Sequence, residues 1–172
     1  MKDAISNAFV FNLVIVFVII LLAFFIGSIG YSKASKVKNR IVEEIEKEGE
    51  HSSNPDKAYD NAKGEIENWL SFGSENGTGI GYRMNTTGSN DCPSEDEIKS
   101  TLPQNITKVK RVDKSNDYEY CVYRIKQCDK DNNRCDVYYR VITYMYFDVP
   151  IIGQFIQIPV TGETMTFTEL NS

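Results

Sequence analysis

Residues 8–26 read AFVFNLVIVFVIILLAFFI, and the architecture of the chain turns on this run. Nineteen residues of α-helix cover about 28 Å, close to the thickness of a bilayer's hydrocarbon core. Phe, Val, Ile and Leu dominate, residues whose insertion is favourable at the centre of a membrane helix. From Ala8 to Gly27 Asn12 is the only strongly polar residue, and the next lysine is Lys33. Near the end of the run, the Asn12 amide reaches the interface or bonds a neighbouring helix. The run predicts a transmembrane helix in contact with the lipid bilayer. Phe9, Asn12, Phe17, Leu22 and Phe25 are its candidate membrane and assembly positions.

A cleaved signal peptide is the rival reading, with small Ser28 and Gly30 ahead of a cut before Tyr31. The run is longer than a usual signal-peptide core, and Lys2 is offset by Asp3, so an uncleaved anchor is preferred. The helix also has reason to continue. No Gly or Pro interrupts residues 33–48, and Val37, Ile41 and Ile45 recur at i, i+4, i+8. One helix over about residues 7–48 would be roughly 60 Å long, half in lipid and half out. The expected organisation is a membrane anchor over 1–30, an amphipathic stalk over 31–50 and a head domain over 51–172.

Outside the run the composition is polar. The 172 residues are 41% hydrophobic, with a net charge of −5. A simple cytosolic globule and a multi-pass transporter are both excluded. His51 is the only histidine, which argues against His-dependent hydrolysis and His-rich metal sites. No nucleophile–base pair, catalytic carboxylate pair or phosphate cradle can be nominated, so the chain is read as a non-enzyme without a cofactor. Basic residues cluster only over 33–40 and 108–111, and the net negative charge argues against nucleic acid as a partner.

Orientation pits two signals against each other. Lys33, Lys36, Lys38 and Arg40 follow the span, and the positive-inside rule would place the head in the cytoplasm. The same cations can instead sit at anionic headgroups on the outer leaflet. Cys92, Cys121, Cys128 and Cys135 decide for the second: an even set in a small domain fits two disulfides in an oxidising compartment. Cys128 and Cys135 bracket a turn-like segment, which suits a hairpin-closing bridge. Cys92 and Cys121 would then tie a loop to a strand. Zinc is disfavoured, because the gaps lack the short knuckle spacing.

Local signals give an α+β fold: a long N-terminal helix, one or two further helices and an antiparallel sheet of about four strands. Asn54-Pro55 caps a helix carrying Tyr59, Ala62, Ile66, Trp69 and Leu70, ended by Gly73. Ser94 and Glu97 form a capping-box pair for a short helix stopped by Pro103. Strands are expected around 80–84, over 118–127 and over 137–149, where alternation lapses only at Thr143. A last strand over 162–169 puts Thr164, Thr166 and Thr168 on one face. Asp129, Asp131 and Asn133 open like a calcium loop but lack its Gly and closing Glu, so a solvated turn is the better reading. Residues 151–159, bounded by Pro150 and Pro159, form the second most apolar stretch; Ile151, Ile152, Phe155 and Ile156 are read as a buried crossover or a contact loop.

A membrane helix running into an amphipathic stalk and a small disulfide-containing α+β head resembles the type IV pilin-like proteins. Within that group it is most similar to the TadE-type minor pilins of tight-adherence systems. Residues 9–26, 33–45, 138–150 and 160–170 carry the likeness. It implies a structural subunit whose partners are other pilin-like subunits, met through the N-terminal helix, and the assembly platform of a pilus-like system. It also implies an extracytoplasmic head that enters a surface filament on assembly. No Glu lies in the apolar run, where major pilins carry one, so the resemblance points to a minor or accessory subunit.

Overall fold

The computed structural model describes residues 2–52, 54–71, 92–113, 120–129, 134–147 and 156–170. A single helix, α1 (Lys2–His51), runs without interruption for 50 residues. It passes through Gly49 and ends three residues beyond the expected boundary. A 3-10 turn at Pro55–Lys57 follows, with Asn54 as its N-cap: the Asn54 side chain accepts from the Asp56 N–H. The turn leads into α2 (Ala58–Ser71), whose Tyr59, Ala62, Ile66 and Leu70 form the buried stripe that their spacing predicts. The short α3 (Glu95–Ser100) carries the complete capping box, Ser94 and Glu97 each bonding the other's backbone N–H.

Among the described residues five antiparallel strands complete the head: β1 (Lys108–Arg111), β2 (Tyr120–Asp129), β3 (Arg134–Phe147), β4 (Ile156–Glu163) and β5 (Phe167–Leu170). The order is β1-β2-β3-β4, with β5 also paired to β3. The last two strands lie end to end along one edge of β3. Arg140 is opposite Glu163, whereas Val137 is opposite Phe167. Three residues, 164–166, therefore face two, 138–139, which is a β-bulge. Tyr139 bonds twice at this point: its N–H donates to Thr164 Oγ1, and its C=O accepts from the Thr164 N–H. The bulge corrects the expectation of one strand with three threonines on a shared face. Thr164 is buried, while Thr166 and Thr168 are exposed.

The sheet is covered on both sides. Tyr120 and Val122 of β2, with Val137, Tyr139, Val141 and Met145 of β3, face α1 and α2. Cys121, Tyr123 and Ile125, with Ile142 and Tyr144, face a second core built on Ile98, Ile106 and Val109. Thr143 breaks the alternation because it sits on the helix side and is needed there as a donor. Its hydroxyl bonds the Ala34 carbonyl at 3.0 Å and that of Val160 at 3.3 Å.

Within the segment read as an amphipathic stalk, 31–50, residues 34–49 pack against the head. Ala34, Val37, Ile41 and Ile45 are fully buried against the sheet and α2. Each large aliphatic side chain so buried contributes about 1.5–3 kcal/mol. Along this contact α1 runs antiparallel to β3 and parallel to β4 and β5. Ala34 meets Thr143, Lys38 lies over Gly162, Glu46 accepts from the Met165 N–H, and Gly49 takes the ring of Phe167. Gly49 is a packing residue, because a Cβ there would collide with that ring.

Candidate membrane and assembly surface

The other half of α1 touches almost nothing. Phe9, Phe17, Leu22 and Phe25 are each between 56% and 68% exposed, and Asn12 is exposed among them. Every described residue over 9–26 is exposed, so the apolar surface extends around the whole circumference. A helix that is apolar all round is a membrane span or the interior of a larger assembly. It is long and apolar enough to cross a bilayer. Beyond it come exposed Ile29, Tyr31, Lys33 and Lys36, an aromatic and cationic rim of the kind that sits at lipid headgroups. One such helix among the described residues is compatible with a single-pass membrane protein.

In the head, the four cysteines form two bridges. Cys128 and Cys135 are direct partners across β2 and β3, and their bond closes that hairpin. Cys92–Cys121 ties the segment before α3 to β2, across a separation of 29 residues. By loop-closure entropy the first is worth about 2.4 kcal/mol and the second about 3.6 kcal/mol. The gap between them follows from loop length alone.

Charged groups brace α1 internally and join other segments of the head. Glu44 is buried where it meets the Arg40 guanidinium at 2.5 Å and Lys47 at 3.8 Å. Arg111 grips Asp113 through two bonds of 2.8 Å, and the same carboxylate accepts from the Val122 N–H. That partnership raises the Arg111 pKa. Asp56 faces Arg124 and Lys126 at 3.6 and 3.4 Å. Buried tyrosines do similar work: Tyr59 and Tyr120 share a hydroxyl contact of 3.2 Å, and Tyr139 donates to the Pro55 carbonyl. Burial raises the Tyr59 pKa and pushes that of Tyr139 up to about 12. These hydroxyls stay protonated and act as structural bonds.

A shallow groove of about 290 Å³ is lined by Arg40, Glu65, Asn68 and Trp69, residues of α1 and α2. Among the described residues, no three His, Cys, Asp or Glu side chains group as metal ligands would. Ile151, Ile152 and Phe155 of the expected contact loop lie outside the described residues. So do most of the calcium-like turn and the strand expected at 80–84. Ile156 opens β4, its backbone paired with Phe147.

Sequence reasoning missed β1, the Thr143–Ala34 bond and the Gly49–Phe167 contact. The four residues Lys108–Arg111 contain one buried apolar side chain, Val109, too few for a period. The unexplained Thr143 in an alternating strand was the available signal for the second. Comparisons with protein-family models, curated proteins and solved structures find no match for this chain.

Proposed function

We propose that the chain is a pilin-like structural subunit, of the minor or accessory kind, held in a membrane and delivered into a surface filament or secretion apparatus. The observation that carries this is the division of α1. One continuous helix offers a bare apolar half to its surroundings and gives its other half to the core of an antiparallel α+β head. A head fused rigidly to a bare helix is a unit that can exchange lipid for the helices of neighbouring subunits. The exchange is nearly neutral in hydrophobic burial, because lipid tails are as apolar as Leu side chains. Packing and interhelical hydrogen bonds then decide assembly, and Asn12 offers an amide for the latter.

On this reading the head is extracytoplasmic, supported by the two disulfides, which persist in oxidising compartments. No catalytic role is assigned to it. Shearing surface filaments from intact cells and probing them for the chain tests the assembly. Recovery with the filaments is expected; recovery only in membranes overturns it. A membrane-impermeant maleimide, applied to intact cells after an impermeant reductant, should label the cysteines. Labelling seen only after lysis overturns the orientation.

The groove at Arg40 and Trp69 favours a second reading, a single-pass anchored extracellular binding or sensor domain. Its volume approaches the lower limit of small-ligand pockets. Retention in the membrane together with loss of ligand capture in Trp69→Ala would support it.

A further inference from the structure

We propose that the β3–β4 end of the head is a second membrane contact, dipping into the lipid beside the span. The inference rests on the anchoring half of the proposed function and gives the anchored head a fixed pose. Its first support is level. The Thr143–Ala34 bond pins β3 to α1, and the Lys38–Gly162 and Gly49–Phe167 contacts keep the two antiparallel. β3 continues four residues past Thr143 to Phe147, which pairs with Ile156 at the start of β4. Four strand residues advance about 13 Å. That distance equals roughly nine helical residues, and nine residues back from Ala34 is Phe25. The paired strand ends therefore reach the level of the bare apolar helix.

A second observation agrees. Gly27 is the single buried residue in the described stretch 9–33, and it lies at the level assigned to the strand ends. The third is chemical. Ile158, opposite Met145, falls near the level of Gly30 and Tyr31 and is 40% exposed. Exposed Lys33 and Lys36 lie just above, where a headgroup layer would be. The occupant that fits this vertical order, apolar below and cationic above, is a bilayer with anionic headgroups. The strand ends would enter it by about 5–10 Å, the depth of an interfacial segment. Their facing backbone groups are paired in the ladder, and an interfacial depth leaves the outer edge of β4 within reach of headgroups and water.

The test uses the full chain in vesicles of phosphatidylcholine and phosphatidylglycerol containing lipids spin-labelled near the headgroup. An environment-sensitive fluorophore is attached to Ile158→Cys, Thr161→Cys, Thr168→Cys or Phe17→Cys, with the native disulfides left intact. Quenching should be strong at position 158, weaker at 161 and absent at 168, with position 17 buried in lipid. Equal, negligible quenching at 158, 161 and 168 alongside a lipid-buried position 17 overturns the contact and leaves the anchor standing. Loss of the lipid signal at position 17 as well overturns the anchor itself. If protection of position 158 follows protein density instead of lipid, the surface belongs to a second copy and the proposal fails. Thr161 and Thr168 are exposed, so their labels report even if the label at Ile158 perturbs its edge strand.

Discussion

The two halves of α1 are both apolar, yet they are apolar in different ways. Over 9–26 the exposed apolar surface covers every side of the helix. Over 34–49 it narrows to a stripe at Ala34, Val37, Ile41 and Ile45, with Lys36, Asn39 and Glu43 exposed between. Lipid surrounds a helix evenly and selects no face, whereas a sheet approaches from one side and selects a stripe. The width of the apolar surface, more than its hydrophobicity, separates a half compatible with a membrane from a half packed in the head. If the halves have different partners, perturbations of the head should leave the anchor untouched.

Alkali should make the largest separation. Burial raises the pKa of Tyr59 and Tyr123 and pushes that of Tyr139 up to about 12. The native head keeps protons that the unfolded chain releases near pH 10. Stability is therefore intact below about pH 10 and falls as pH climbs through the raised values. In detergent micelles, the head's near-ultraviolet dichroism should vanish above pH 12 while the helical signal of the anchor persists. Simultaneous loss of both would show one cooperative unit and break the comparison.

Truncation comes next. Ile41→Ala should destabilise the head by about 3–4 kcal/mol, the usual cost of a large core deletion. Ile19→Ala, at a position 49% exposed, should change head stability by less than about 0.5 kcal/mol. Urea unfolding of the full chain in micelles measures both. A comparable loss from Ile19→Ala would mean the halves are not energetically distinct.

The candidate span, the stripe on α2, both caps and the strand alternation were all legible, because each is written in local spacing. So was the pairing of Cys128 with Cys135, whose gap is the length of a hairpin turn. What could not be read depends on partners distant in the chain. The i, i+4, i+8 stripe at Val37, Ile41 and Ile45 is the same for a stalk awaiting another subunit and for a helix buried in its own head. Only the position of β3, about a hundred residues later, distinguishes them. The bulge at Thr164 is hidden for a similar reason, since one extra residue changes register without changing composition.

Gly49 sharpens the point with a reversal of sign. Gly→Ala inside a helix ordinarily stabilises by about 0.5–1 kcal/mol. Here the new methyl would meet the Phe167 ring, and overpacking costs about 1–3 kcal/mol. Gly49→Ala should be net destabilising by about 1 kcal/mol in the native chain. In a Phe167→Ala background it should be stabilising. A double-mutant cycle that shows no reversal would remove Phe167 as the reason for the glycine.

The smallest effect concerns the junction of the two halves. Thr143→Val keeps shape and β propensity but deletes the donor to Ala34, where the helix enters the head. The Ala34 carbonyl retains its intrahelical partner, so the loss should be about 1 kcal/mol, the net worth of one neutral hydrogen bond. Its reach should be directional. Amide exchange should quicken around residues 31–38 and scarcely change around Gly49, because the bulge and Phe167 hold that end independently. Uniform acceleration along the buried half would mean that α1 docks as one rigid body, with no local seam where the anchor meets the head.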